Sequence, residues 1–167
     1  METTDKNLAA AFAGESQANR KYLFFAAKAE AQGQPQIARL FRAAAEAETV
    51  HARNHLNVLD GIGDTAENLR SAIAGESYEF TQMYPGFIDQ AKQDADPRAE
   101  MSFTSANAVE KVHHGLFQKA LNDLDTGRTG EAQPYFVCQV CGNTVLGQAP
   151  DICPICGSAR LKFRQID

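Results

Sequence analysis

The chain has 167 residues, 44% of them hydrophobic, with 16 basic and 21 acidic side chains and a net charge of −5. That balance argues against a nucleic-acid binder that works by neutralising phosphates. No apolar stretch approaches the roughly 20 residues a membrane span needs, and the apolar run from Leu8 to Ala13 is closed by Glu15, so neither a membrane segment nor a signal peptide is expected. The expected compartment is the cytoplasm.

Up to about residue 127 the apolar spacing is helical. Leu8, Phe12, Glu15, Tyr22 and Ala26 share one face. "QGQP" at 32–35 breaks this helix, and Pro35 can start the next. The second stripe runs through Ile37, Leu40, Phe41, Ala44, Glu48, His51, His55 and Val58, and "GIGD" at 61–64 is the turn after it. The third runs Leu69, Ile73, Glu76, Phe80, Met83 and Phe87, with a kink or break expected at Pro85. "DADP" at 94–97 supplies an Asp cap and a first-turn proline for the fourth, which runs Phe103, Ala106, Glu110, His113, Phe117, Leu121 and Leu124 and stops at Gly127. Four long helices with short loops predict a four-helix bundle over 1–127. Residues 128–134 read as a polar linker, and residues 135–167 as a module too small to fold on an apolar core alone. Charge divides the same way: 12 basic and 18 acidic residues up to 127, against four basic and three acidic beyond it.

The apolar stripes carry acids. "AFAGES" at 11–16 and "AIAGES" at 72–77 are near-repeats that place Glu15 and Glu76 among small and apolar neighbours. Glu48 and Glu110 lie on the other two stripes, each three residues before a histidine, in "ETVH" (His51) and "EKVH" (His113). An unpaired buried carboxylate is costly, and a cation removes the cost. Residues three apart project from one side of a helix, so each Glu-x-x-His can hold one metal. The order Glu, Glu-x-x-His, Glu, Glu-x-x-His is the dinuclear carboxylate arrangement of helical bundles. The spacing of 33 residues from Glu15 to Glu48 and 34 from Glu76 to Glu110 reads as one helix pair used twice. These donors fit iron or manganese, with zinc an alternative.

Glu79, one turn beyond Glu76, is either a seventh ligand or an exposed acid. His55 is expected to pack or to support rather than ligate, and His114 to be solvated. Tyr22 and Tyr84 could hydrogen-bond into the site or be ordinary half-buried aromatics. In the module, "CQVCG" and "CPICG" bring Cys138, Cys141, Cys153 and Cys156 to one tetrahedral metal, with a glycine after each pair to permit the tight turn. Spacing alone does not choose between zinc and iron. Tyr135, Phe136 and Phe163 are the expected apolar cover.

Taken together, "AFAGES", "EAETVH", "AIAGESYEFTQMYP", "VEKVHH", "YFVCQVCG" and "DICPICG" resemble the rubrerythrin family over nearly the whole chain: a ferritin-like diiron bundle followed by a rubredoxin-like domain. The resemblance implies a mainly α fold. It implies diiron ligands Glu15, Glu48, His51, Glu76, Glu79, Glu110 and His113, and a third iron on the four cysteines. Glu79 would exchange with His51 as the site changes oxidation state. The implied activity is reduction of hydrogen peroxide to water, with the cysteine iron relaying electrons from an external reductase, in a homodimer where the cysteine iron of one subunit serves the diiron site of the other. The cysteine site departs from free-standing rubredoxins in its shorter spacing and in having Asn143 where an aromatic is common. A ferroxidase or iron-handling protein, and a non-catalytic module with zinc between the cysteines, are the competing readings.

Overall fold

The computed structural model describes residues 3–128 and 132–166, so residues 129–131 of the expected linker lie outside the described residues. The chain divides into two compact units, Met1–Gly63 and Asp64–Asp167.

The first unit is a helical hairpin of α1 (Thr3–Ala31) and α2 (Pro35–Val58). Gly33 turns the corner at φ +70°, and Pro35 sits in the first turn of α2, where a missing N–H costs nothing. The buried seam is made of alanines: Ala26, Ala29, Ala38 and Ala45. Ile37, Leu40 and Val58, expected on a core-facing stripe, are instead exposed, as is Phe24. Tyr22, Phe25 and Phe41 form an aromatic cluster with centroids 5.6–6.4 Å apart.

In the second unit, Asp64 and Glu67 form a reciprocal capping box that starts α3 (Thr65–Tyr78). The helix does not break at Pro85. It widens into a π segment, Glu79–Met83, and continues as α4 (Tyr84–Gln93). Proline has no N–H for an i→i−4 bond and its ring crowds the preceding turn. The wider turn, closed by Tyr84 N–H donating to the Glu79 carbonyl, absorbs that conflict without ending the rod. Asp96 caps α5 (Pro97–Asp125) by accepting from the N–H groups of Arg98 and Ala99 at 3.0 Å. Gly127, at φ +65°, lies just past the helix end, as expected of a stop.

The remainder is a three-stranded antiparallel sheet in the order β2-β1-β3, with β1 Tyr135–Cys138, β2 Thr144–Leu146 and β3 Phe163–Ile166. Phe136 and Phe163 are half-buried, whereas Tyr135 stays 38% exposed. The module rests on α5 of its own chain: Val109 is buried, and a Cβ added at Gly142 would meet its side chain at 3.7 Å. Among the described residues no helix is long and apolar enough to cross a membrane.

Candidate metal centres

Three groups of potential ligands converge among the described residues. The first joins Glu15 of α1 to Glu48 and His51 of α2, with donor atoms all within 4.8 Å of one another. His51 Nδ1 lies 2.9 Å from Glu48 Oε2. The hairpin is pinned one turn away by Asn19, whose amide donates to the Ala45 carbonyl at 2.7 Å and to Thr49 Oγ1 at 2.9 Å. Asn19 was not singled out from sequence. Its signal was present, since it lies four residues after Glu15 on the same face.

The second group repeats the first on other helices: Glu76 of α3 with Glu110 and His113 of α5, again within 4.8 Å. His113 Nδ1 lies 2.9 Å from Glu110 Oε2 and 3.8 Å from Glu76 Oε1. Burial, then the neighbouring Glu110, push the Glu76 carboxyl above the usual range. Glu79 opens the π segment and lies outside this trio, yet burial and then Glu76 raise its pKa too. Tyr84 is held protonated to higher pH by burial and by the charges of Glu110, Glu79 and Glu76, so its side chain belongs to the field of this trio. Tyr22 packs within the aromatic cluster of the first hairpin. His55 is half-buried and joins none of the three groups. His114 is not solvated as expected: it is half-buried, edge-on to Phe80 with centroids 5.4 Å apart.

The third group is the four cysteines. Two matching turns present them. Gly142 N–H donates to the Cys138 carbonyl and Gly157 N–H to the Cys153 carbonyl, each at 2.9 Å, with both glycines at positive φ. Cys138 Sγ–Cys156 Sγ and Cys141 Sγ–Cys153 Sγ are 3.7 and 3.6 Å apart. A disulfide would need about 2.05 Å. A metal bonded to four sulfurs at about 2.3 Å sets tetrahedral edges of about 3.8 Å, so the spacing suits an ion at the centre. Hydrogen bonds from Ser158 lower the Cys156 pKa to about 6, favouring a thiolate, while burial pushes the Cys141 thiol up in the absence of an ion. Asn143, 1% exposed, directs its amide at Cys153 Sγ at 3.8 Å, which explains a polar residue in so buried a place.

The acid–histidine groups also fit cations. Each clusters two carboxylates and an imidazole, and a bound ion would relieve the repulsion that raises the Glu76 pKa. The structure therefore carries carboxylate candidates for a diiron centre and a four-cysteine iron site.

Comparison with known proteins agrees with this chemistry. Residues 6–121 match the family described as Rubrerythrin, and residues 136–164 match "Rubrerythrin, rubredoxin-like domain". Rubrerythrin-2 of Clostridium acetobutylicum is 36% identical over 94% of this chain and 93% of its own length. Nigerythrin of Nitratidesulfovibrio vulgaris is 36% identical over 92% of this chain and 82% of its own. Among solved structures, nigerythrin in its fully reduced, all-ferrous state matches with a TM-score of 0.60 and 33% identity, covering 99% of this chain and 88% of that one. The mixed-valence state matches with a TM-score of 0.59. With ferritin-like helices, a rubredoxin-like four-cysteine module and relatives along its whole length, the chain belongs to the rubrerythrin family.

Proposed function

We propose that this chain is a non-haem diiron peroxidase that reduces hydrogen peroxide to water in defence against oxidative stress, working in the cytoplasm. The observation that carries the reading is the presence in one chain of a tetrahedral thiolate set and two acid–histidine trios. Iron storage needs no thiolate electron carrier, whereas peroxide reduction consumes two electrons and two protons for each pair of waters formed. We take residues 1–127 as the diiron domain, 128–134 as linker and 135–167 as the rubredoxin-like domain.

Iron held by the acid–histidine groups and by the four cysteines would supply one-electron redox chemistry. The protein's residues do the rest. Glu15, Glu48, Glu76, Glu79 and Glu110 bring enough negative charge to favour the ferric form, and His51 and His113 complete the ligand set. Glu79 and Tyr84, whose pKa values are raised by burial and neighbouring acids, are the groups that would relay protons to departing oxygen. An external reductase supplies electrons. Val140, Ile152 and Leu161, all exposed around the cysteine turns, suit the docking of such a partner. A homodimer is supported by the apolar side chains the helices leave exposed, among them Phe24, Leu40 and Met101.

The test is metal analysis, an optical spectrum and peroxide consumption by protein made in iron-replete cells. We expect about three irons per chain, one of them red ferric thiolate, and turnover with peroxide. Full turnover with zinc filling the cysteine site would overturn the relay. Oxidation of added ferrous ions without catalytic peroxide turnover would favour a ferroxidase.

A further inference from the structure

Between the four-cysteine turn and the second trio lies one side chain that the ligand pattern does not include. Thr144, at the start of β2, places its Oγ1 3.0 Å from His113 Nε2 and 3.1 Å from the Gly142 carbonyl. Gly142 directly follows the ligand Cys141, and its N–H is already used by the Cys138 carbonyl. The direction of these bonds follows from their chemistry. A carbonyl only accepts, so the single Thr144 hydroxyl proton goes to Gly142. The hydroxyl oxygen must then accept from the ring, which puts a proton on His113 Nε2. The other ring nitrogen, Nδ1, faces Glu110 Oε2 at 2.9 Å and Glu76 Oε1 at 3.8 Å. Carboxylates only accept, so this edge suits either an Nδ1–H donated to Glu110 or a cation held between the three groups; with the cation there, the ring keeps only the Nε2–H that Thr144 accepts.

We propose that Thr144 is a positioning residue: through its hydroxyl it holds His113 in the Nε2–H tautomer with Nδ1 turned to the metal, and by the same bond ties the four-cysteine turn to α5. A ligating imidazole is oriented by whatever its other nitrogen donates to, and loss of that partner weakens metal binding. Here the partner comes from the rubredoxin-like module of the same chain. A continuous path, Cys141–Gly142–Thr144–His113, thus links the thiolate set to the carboxylate set. The first trio has no counterpart among the described residues: His51 meets Glu48 through Nδ1, and its side chain is 54% exposed. The inference rests on reading Glu76, Glu110 and His113 as metal ligands.

The test uses the full chain loaded with zinc(II), which is diamagnetic, in three forms: parent, Thr144→Val and Thr144→Ser. Ring-nitrogen NMR reads the tautomers of His113 and His51, and a chromophoric chelator reads zinc release from the carboxylate sites. Valine keeps the shape and removes the hydroxyl. We expect Thr144→Val to lose the single Nε2–H signature of His113 and to hold carboxylate-bound zinc about 10- to 100-fold less tightly. Thr144→Ser should restore both, and His51 should be unchanged throughout. Parent-like His113 signals and zinc release in Thr144→Val would overturn the inference while leaving the ligand reading intact. Failure of serine to rescue would overturn it as well, by pointing to side-chain volume rather than the hydroxyl. A parent chain that takes no zinc at Glu76, Glu110 and His113 would overturn the ligand reading and this inference with it.

Discussion

The two acid–histidine trios are nearly the same in sequence and unlike in setting. Glu15, Glu48 and His51 sit on a two-helix hairpin with an alanine seam and the Asn19 bonds, with the His51 side chain 54% exposed. Glu76, Glu110 and His113 lie beside a π segment and under a four-cysteine module, with His113 28% exposed and bonded at both ring nitrogens. A ligand pattern thus states which atoms can meet a metal, while the elements packed around it decide how firmly each is held.

Metal removal should have the largest effect and should fall hardest on the second unit. The four-cysteine module is too small to stand on its few apolar contacts, so chelation should unfold it and lower the melting temperature of the whole protein. An apo-protein as stable as the loaded one would count against ligation by these residues.

Next come the histidines, which separate the trios directly. His113→Ala should deplete carboxylate-bound iron and lower peroxide turnover the more strongly of the two. His51→Ala, removing the more exposed imidazole, should cost less. Equal losses, measured as iron content with steady-state peroxide consumption, would erase the distinction.

Glu79 tests whether the extra acid near the second trio works only in one oxidation state. Glu79→Ala should keep both bundle irons and turn over several-fold more slowly, because the oxidised site loses an anionic ligand that favours ferric iron. A variant with two bundle irons and parental turnover would return Glu79 to the exposed acids.

The pH dependence of stability carries a definite sign in metal-free protein. Glu76 and Glu79 have pKa values raised above their ordinary 4.5 on folding, chiefly by burial. Their contribution is full below 4.5 and is lost as pH rises through the raised values. Relative to Glu76→Gln, which mimics the protonated form, the metal-free parent should lose melting temperature between mild acid and neutrality. Bound metal should oppose that loss, since it selects the ionised carboxylates. A flat difference between parent and variant across that range would refute the assignment.

The smallest effect belongs to the first hairpin. Asn19→Ala removes two interhelical hydrogen bonds and should cost about 1 kcal/mol, or about 2–4 °C in melting temperature, measured by thermal unfolding of loaded protein. No change would mean the alanine seam alone sets the hairpin.

The amino-acid sequence alone determined most helix ends, the four-cysteine set and the acids and histidines of the two trios; it read those acids and histidines, with Glu79, as one dinuclear set, whereas Glu79 lies outside both trios. Pro35, the Asp64–Glu67 box, Asp96–Pro97 and Gly127 act locally, and Glu-x-x-His and Cys-x-x-Cys-Gly bring their donors together within a turn or two of chain. The resemblance to rubrerythrins, carried by these short motifs, was legible for the same reason. Tertiary structure decided what depends on partners distant in sequence. The α1–α2 seam is made of alanines while Leu40 and Val58 lie exposed; periodicity counts apolar residues but does not say which face a neighbour takes. Of the kink or break expected at Pro85, the break does not occur: the helix widens into a π segment and continues. His114 found Phe80, and Thr144 found His113 across 31 residues of chain, contacts that no local pattern encodes because they exist only once the module lies on α5.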